Sequence, residues 1–447
     1  MQTQKKHELD TEKLIPTYFR LALPVVLGSI VTIVYSLTDT YFIAQTNVKN
    51  LVAGVSVCSP IFTILMAFGN IFGQGGSSLI SRLLGQKRTD DAGRVSAFCF
   101  WIALITGAVV GGSLLAARDP FLSLLGTSGD TLPYARDYAT VLLLGAPLIV
   151  VNFIHMNLLR CEGMSGLSMA GTVIGAAVNI ALDPLLIPGM GAAGAAVATV
   201  AGYGCSDAFL LIIVLRRSAT LSVRPVLKVE VAFFRNILAI GITAAITNIA
   251  SSVCTIMMNR QLLPLPMGGD RIAAMGIVHR VTMIVQMILV GFSFGGIPLF
   301  GFLSGAREKE KIRRLLRFCL LFLAALSLTM TAVVFLAAEP LLRVITPDAD
   351  LVALGVPMLR WQVAGSVFAG VVMLMTCLCQ ASGKAVPALA LSLSRQGLLF
   401  IAVLLLASRL FGYDGILASQ CAADVLSAIL AGGIYIWLRQ SLRSQAV

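Results

Sequence analysis

The chain consists of two tandem copies of one unit, displaced by 220 residues. The clearest marker is a glycine pair, Gly75-Gly76, which returns as Gly295-Gly296. The same displacement relates Gly85 to Gly305, Arg94 to Arg314, Phe98-Cys99 to Phe318-Cys319, Asp119-Pro120 to Glu339-Pro340, Asp130 to Asp350, Gly145 to Gly365, and Gly163 to Gly383. The register then slips by one residue, since Gly191 returns as Gly412. A duplication of this length restricts the chain to a fold of two similar halves.

The apolar composition places both halves in a membrane. Hydrophobic residues make up 57% of the 447 residues, charged residues only 12%, and the mean hydropathy is +0.90. Soluble domains carry about 25% charged residues. Apolar runs of about 20 residues, the length that crosses a bilayer, recur in each half, beginning with 21–44. With a glycine-rich stretch at 51–81, they predict an all-α polytopic protein with twelve transmembrane helices in two six-helix lobes.

Lysine and arginine concentrate in alternate connections between these helices, and this distribution sets the orientation. The basic residues include Lys5, Lys6, Lys13 and Arg20 before the first helix, Arg216, Arg217, Arg224, Lys228 and Arg235 in the centre, and Arg439 and Arg443 at the end. We therefore predict that both termini are cytoplasmic. The predicted domains are an N-lobe at 1–217, a cytoplasmic linker at 218–234 and a C-lobe at 235–447. Basic residues spread in this way favour contact with membrane lipids and argue against nucleic-acid binding.

Ionisable groups inside apolar spans are costly, so each is a functional candidate. Asp39 lies late in the first predicted helix and Asp183 late in the fifth. Tyr35 precedes Asp39 by one turn, Asn179 precedes Asp183 by one turn, and Thr199 lies in the sixth helix. Carboxylate, amide and hydroxyl oxygens suit Na⁺, and a buried carboxylate equally suits a proton. The alternatives are that Asp39 caps a helix end and that Asp183, which precedes a proline, simply ends its helix.

The second half has no acid at the equivalent positions, since Asn259 stands where the first half has Asp39. In or near its spans lie Arg260, His279, Arg280 and Arg395. The arginines could contact the opposite half, extend to the interface or meet an anionic group on a substrate. His279 could titrate near neutral pH or serve a structural role. Two further acids, Asp207 and Asp424, could each lie near a helix end.

Nothing in the sequence indicates an enzyme. A membrane-embedded enzyme would need a catalytic cluster near one membrane face, such as paired His and Asp, and the three histidines, His7, His155 and His279, form no such motif. The nine cysteines are scattered without a C-x-x-C pair, so they read as small apolar helix residues rather than metal ligands or disulfides. We therefore predict no catalytic residue and no cofactor, and we expect a monomer.

The segment Pro24–Asp39 (PVVLGSIVTIVYSLTD), followed by GQGGSSLISRLLGQ at 73–86, resembles the multidrug and toxic compound extrusion (MATE) transporters. Glu162-Gly163, Asn179 and Asp183 extend the resemblance, which is closest to the bacterial MepA-like branch and covers nearly the whole chain. Members of this family export organic cations and other amphipathic drugs in exchange for Na⁺ or H⁺. The resemblance thus implies a cation-coupled drug antiporter of the bacterial inner membrane, working by alternating access of two lobes.

The resemblance also implies roles for individual residues. The N-lobe cation site is matched by Asp39, Asn179, Asp183 and Thr199. The first three of these would be the ligands of Na⁺ if sodium is the coupling ion. Tyr35 matches a tyrosine near the same pocket, and Pro24 matches a first-helix proline whose bending accompanies gating. The acidic residue that another branch carries in its seventh helix is not matched, because Asn259-Arg260 stands there.

One alternative function stays open at this point. The wider superfamily includes flippases for lipid-linked saccharides, and the intramembrane Arg260, Arg280 and Arg395 would suit an anionic headgroup. The acidic and amide residues of the first half favour drug and cation exchange instead. The sequence leaves open whether Na⁺ or H⁺ is the coupling ion, because the same carboxylates serve either.

Overall fold

A computed structural model describes residues 9–127, 129–226 and 230–444, and every regular element in these ranges is an α-helix. The helices are α1 (Leu14–Gln45), α2 (Lys49–Val57), α3 (Ser59–Gly85), α4 (Thr89–Ala116), α5 (Arg118–Leu124), α6 (Leu132–Leu144), α7 (Ala146–Cys161), α8 (Ser165–Met190), α9 (Ala192–Arg217), α10 (Val231–Leu262), α11 (Gly268–Phe294), α12 (Ile297–Gly305), α13 (Lys309–Leu336), α14 (Ala338–Ile345), α15 (Ala349–Ala364), α16 (Ser366–Ala381), α17 (Ala385–Arg395) and α18 (Leu398–Ser444). Of the residues used to predict the topology and to exclude an enzyme, Lys5, Lys6, His7 and Lys228 lie outside the described residues.

The length and apolar character of these helices confirm the predicted membrane fold. Within the described residues, nine helical stretches are long and apolar enough to cross a bilayer, and two bent pairs raise the number to eleven. The pairs are α6 with α7, bent by 53°, and α15 with α16, bent by 42°. The last stretch, 385–437, contains two spans, because the backbone leaves the helical conformation at Gly412. The prediction of twelve spans is therefore confirmed.

The duplication seen in the sequence is also a duplication of backbone conformation. Gly191, between α8 and α9, and Gly412, within α18, share φ 57° and ψ −129°. A positive φ of this kind is open to glycine because glycine has no Cβ. Gly163 and Gly383, which follow α7 and α16, also have similar positive φ values of 77° and 75°. Corresponding turns in the two halves are thus built in the same way.

The two copies differ at the glycine pair that first reveals the repeat. Helix α3 continues without interruption through Gly75-Gly76. A Cβ atom on Gly75 would overlap the main chain of Ile237, so the first pair allows α3 and α10 to approach closely. In the second copy, α11 ends at Phe294, and Gly295-Gly296 separate it from α12. The same residues therefore serve helix packing in one copy and a helix break in the other.

The chain divides into two compact units, of which unit 1 holds Met1–Ala245 and Gly301–Arg307 and unit 2 holds Ile246–Phe300 and Glu308–Val447. In unit 1, α3, α4 and α7 pack around a buried apolar core, and α1 packs along α8, which pairs with α9. In unit 2, α11, α13, α15, α16, α17 and α18 pack together. The lobe limits at 217 and 235 stay a prediction.

The segment that follows α9 is bonded to unit 1. The backbone N–H groups of Thr220 and Leu221 donate to Oε1 of Glu162 at 2.7 and 3.3 Å. The indole N–H of Trp101 donates to the carbonyl oxygen of Val223 at 3.0 Å. Oγ of Ser218 also accepts from both N–H groups, at 3.3 and 2.7 Å, so the backbone of this segment is well satisfied. Glu162, singled out above as part of the family pattern, therefore anchors the start of the predicted linker.

Candidate cation and substrate site

Unit 1 contains a cavity of about 150 Å³ among α1, α3, α7, α8 and α9. Phe62, Met66 and Met156 contribute to its mainly apolar wall. Its polar groups follow from helix spacing, since residues three or four apart share one helix face. Thr199, Tyr203 and Ser206 have this spacing on α9. Thr172 and Asn179 are seven residues apart, or about two turns, and so also share one face of α8. Thr32 and Tyr35, three residues apart, are contributed by α1. The wall is therefore apolar, with oxygen-bearing side chains at regular intervals.

Asn179 and Asp183 form the acidic end of this site on α8. Asn179 is 2% exposed and Asp183 is 0% exposed. The amide Nδ2 of Asn179 donates to Oγ1 of Thr199 at 3.4 Å. No donor among the described residues reaches Oδ1 of Asn179 or either carboxylate oxygen of Asp183. Buried oxygens without a donor cost free energy until a proton or a cation satisfies them.

Asp39 brings a second carboxylate to the site from α1. Its Oδ1 is buried and has no donor among the described residues. Its carboxylate lies close enough to Asp183 for the two to interact electrostatically. Tyr35, one turn earlier on α1, lines the cavity, and its hydroxyl is hydrogen bonded to that of Tyr203 on α9. Two nearby carboxylates repel each other when both are ionised, so a shared cation or one proton stabilises the pair.

The structure thus brings together five residues selected from the sequence: Tyr35, Asp39, Asn179, Asp183 and Thr199. The alternative roles of the two acids are wrong. Helix α1 continues past Asp39 to Gln45, and α8 continues past Asp183 to Met190 despite its internal prolines. Neither acid therefore caps or ends its helix.

A second polar cluster at the cavity was missed by the sequence analysis. Asn152 of α7 lines the cavity, and its Nδ2 donates to Oγ of Ser206 and to Oδ1 of Asp207, both at 2.9 Å. All three side chains are buried, and Oδ2 of Asp207 has no donor among the described residues. Asp207 lies inside α9 rather than at its end. An asparagine within the fourth span was the available signal, because a buried amide needs partners.

The predicted site residues of the second half are mostly exposed, unlike the buried or partly buried ones of the first half. Arg260, His279 and Arg280 are exposed on α10 and α11, and Asn259 is partly buried. Their roles in substrate binding or gating stay predictions. Pro24 lies inside the continuous helix α1 and is not part of the cavity wall.

Arg395 ends α17 and is only 6% exposed. Its Nε donates to Oδ1 of Asp424 at 3.0 Å, and its Nη2 donates to Oε1 of Gln286 at 2.7 Å. Gln420 also donates to Oδ1 of Asp424, at 3.1 Å. The predicted contact of Arg395 with a substrate stays a prediction, but in this conformation its charge is neutralised within unit 2. Sequence analysis identified both charged residues without predicting that they pair.

Known proteins similar to this chain are membrane transporters. The model of the MatE family matches residues 24–185 and 243–406. The chain is 29% identical over 445 residues to the multidrug export protein MepA of Staphylococcus haemolyticus (strain JCSC1435), covering 99% of this chain and 98% of that protein. It is 27% identical over 445 residues to the MepA protein of Staphylococcus aureus (strain MSSA476), with the same coverage.

Two solved structures share the fold. One is the outward-facing conformation of a multidrug resistance MATE family transporter of the MOP superfamily, with a TM-score of 0.91, 22% identity and 99% of each chain covered. The other is a MOP superfamily transporter from Pyrococcus furiosus, described as having a binding pocket of reverse polarity, with a TM-score of 0.91, 22% identity and 100% of each chain covered. The apolar spans and these relatives identify a multi-pass protein of the bacterial plasma membrane.

Proposed function

This chain belongs to the MatE family of multidrug efflux transporters, and from that premise we propose that it exchanges Na⁺ or H⁺ for amphipathic organic cations. One observation carries the proposal. Asp39 and Asp183 are two interacting carboxylates in the apolar spans of unit 1, and three of their four oxygens are buried without a donor among the described residues. Such a pair requires a positive charge, and a small cation or a proton supplies it.

Exchange follows from competition for the same negative charge. A Na⁺ ion or a proton at Asp39 and Asp183 neutralises the pair and weakens the attraction for a cationic drug in the adjoining cavity. Departure of the ion restores the negative charge and strengthens that attraction. Coupling of this kind requires each ligand to change the affinity of the other. Asn179 and Thr199 supply further oxygens beside the carboxylates, as Na⁺ coordination requires.

We further propose that the two repeated halves alternate access and that both termini are cytoplasmic. The basic connections counted in the sequence support this orientation. Because α1 and α8 are the first and fifth spans, they cross the membrane in the same direction. Asp39 and Asp183 both lie in the later part of their helices, so they share one depth in the outer half of the membrane.

The test is drug efflux from proteoliposomes under sodium and proton gradients that are imposed separately. We expect the wild type to export an organic cation under one of the two gradients, which then identifies the coupling ion. Asp39→Asn and Asp183→Asn should each reduce gradient-driven export to the level of protein-free liposomes. Asp137→Asn, which changes an exposed acid of α6, serves as the matched control and should export normally.

Full gradient-driven export by both Asp39→Asn and Asp183→Asn would show that coupling lies elsewhere. Absence of drug export under either gradient, together with movement of a lipid-linked saccharide across the bilayer, would replace the antiporter by the flippase.

A further inference from the structure

Two threonine hydroxyls on the cavity wall use their hydrogen-bond donors within the protein. Oγ1 of Thr32 donates to the carbonyl oxygen of Gly28 at 3.0 Å. Oγ1 of Thr172 donates toward the sulfur of Met156 at 3.8 Å. A hydroxyl whose single proton is used in this way retains only acceptor lone pairs. These two groups therefore present acceptors to a ligand.

The two asparagines of the wall extend this pattern. Asn179 directs Nδ2 to Thr199, and its Oδ1 receives no bond from the described residues. Asn152 directs Nδ2 to both Ser206 and Asp207, so its two amide protons have partners. The atom of Asn152 that remains for a ligand is its carbonyl oxygen. The cavity thus combines an apolar wall with four side-chain oxygens that can accept hydrogen bonds, those of Thr32, Asn152, Thr172 and Asn179.

Asp207 determines the orientation of the Asn152 amide. A carboxylate offers acceptors only, so an amide that faces it must present its NH₂ group. A proton on Oδ2 of Asp207, the oxygen without a donor, would leave Oδ1 an acceptor and would not reverse this orientation. Ser206 alone cannot fix the amide, because a hydroxyl both donates and accepts. Asp207 is 7% exposed and Asn152 is 3% exposed, so both partners of this bond are buried.

We propose that Asp207 is a positioning residue for substrate selectivity. By holding the NH₂ group of Asn152, it makes the cavity present acceptor oxygens, so that the site favours organic cations with N–H donors over cations of equal charge that lack them. Asp207 does not line the cavity itself and acts through Asn152. The inference rests on the proposed function, because it describes which cations the same cavity takes.

The experiment uses two probes of equal charge, one with ammonium N–H groups and one without them. Monodansylcadaverine has a primary ammonium group, and its N,N,N-trimethyl derivative has the same charge without an ammonium N–H. Binding to the purified protein is followed by dansyl fluorescence, and export is followed in proteoliposomes. We expect the wild type to prefer the primary amine by about tenfold, the effect of one or two hydrogen bonds. Asp207→Ala should bring the two affinities to within about twofold of each other, because the amide is then free to turn.

Asp207→Asn keeps the size of the side chain but replaces an acceptor-only carboxylate by an amide, which both donates and accepts and so no longer fixes the Asn152 amide. We expect this variant to reduce the preference toward that of Asp207→Ala. Asn152→Leu removes the carbonyl oxygen itself and should lose the preference, which provides a second test if Asp207→Ala does not fold. Asp137→Asn again serves as the control for preparation and reconstitution.

Equal weakening of both probes in Asp207→Ala would overturn the inference, because a purely structural role has that effect. Retention of the wild-type preference in both Asp207→Ala and Asp207→Asn would overturn it as well, since the orientation of the Asn152 amide would then not depend on Asp207. Gradient-driven export by the wild type without preference would overturn this inference and leave the proposed function standing. If the wild type neither binds nor exports either probe, both this inference and the proposed function are overturned.

Discussion

In unit 1, Asp183 is fully buried and receives no hydrogen bond from the described residues, whereas Asp424 of unit 2, at 1% exposure, accepts bonds from Arg395 and Gln420. Both acids lie in apolar spans, where an uncompensated charge is costly. Unit 2 neutralises its acid with a residue of its own chain. In unit 1 none of the described residues donates to Asp183, and this supports the proposed exchange site.

The repeat sharpens this comparison, because the two sites occupy equivalent places. Three cavity residues of unit 1 correspond to three network residues of unit 2: Met66 to Gln286 and Gly175 to Arg395 by the displacement of 220, and Tyr203 to Asp424 by the displacement of 221 that relates the later glycines. The place that holds a cavity in unit 1 thus holds a hydrogen-bonded ion pair in unit 2. The two copies have therefore kept the scaffold while their side chains at this place have diverged.

The largest effect on stability is expected when the ion pair between Arg395 and Asp424 in unit 2 is broken. Asp424→Asn leaves the Arg395 guanidinium buried without a counter-charge, and we expect it to lower the free energy of unfolding by about 3–5 kcal/mol. Asp183→Asn is the matched change in unit 1 and should cost less than about 1 kcal/mol, because it removes a charge that has no partner. Denaturation of the purified protein in detergent measures both. A cost for Asp183→Asn as large as that for Asp424→Asn would remove the distinction between the units.

A smaller effect is expected when both members of the pair are replaced. Arg395→Met combined with Asp424→Leu removes both charges, and apolar replacements of similar volume are often neutral or stabilising. We expect the double variant to recover most of the stability that Asp424→Asn loses and to retain gradient-driven export. The same denaturation and proteoliposome assays apply. Normal stability without export would show that the pair takes part in transport rather than only in packing.

The smallest effect concerns repeat-related acids outside the spans. Hydrogen bonds from Arg118 and Arg136 to Asp119 hold the pKa of this carboxyl below its ordinary value. A lowered pKa means that the stabilisation is complete above the ordinary aspartate value, about 3.9, and is lost as the pH falls through the lowered one. Asp119→Asn should therefore lower Tm slightly at pH 7, and the difference should shrink in strong acid. Glu339 has one ion-pair partner among the described residues, Arg343 at 2.6 Å, so Glu339→Gln should have a smaller effect.

A pH-independent decrease in the Tm of Asp119→Asn would attribute the effect to packing rather than to charge. A larger loss for Glu339→Gln than for Asp119→Asn would contradict the ranking of the two acids.

Much of the fold and part of the site could be predicted from the sequence. Apolar runs predict membrane spans because a bilayer requires them, and Asp39 and Asp183 are conspicuous because acids are rare in such runs. Asn152 was missed because an uncharged amide is less conspicuous among apolar residues. The pairing of Arg395 with Asp424 could not be predicted, because the two residues lie 29 positions apart on different helices and only tertiary packing brings them together.

The helix break after Arg395 was also not predicted, although the sequence contains a sign of it. The repeat register changes from 220 to 221 between Gly383 and Gly412, and α17 stops being helical at Gln396, within that interval. One additional residue cannot be inserted into a helix without rotating every later side chain by about 100°. A break in the helix accommodates the additional residue, so the later helices keep the same faces toward their neighbours.

Gly191 and Gly412 limit which substitutions can accumulate as this protein evolves. Their shared backbone conformation strains any side chain that carries a Cβ, whatever compound is transported. Selection by new toxic compounds can alter the cavity wall of one copy and leave these two turns untouched. The pair therefore remains a trace of the ancestral gene duplication, readable in the backbone after the side chains around it have diverged.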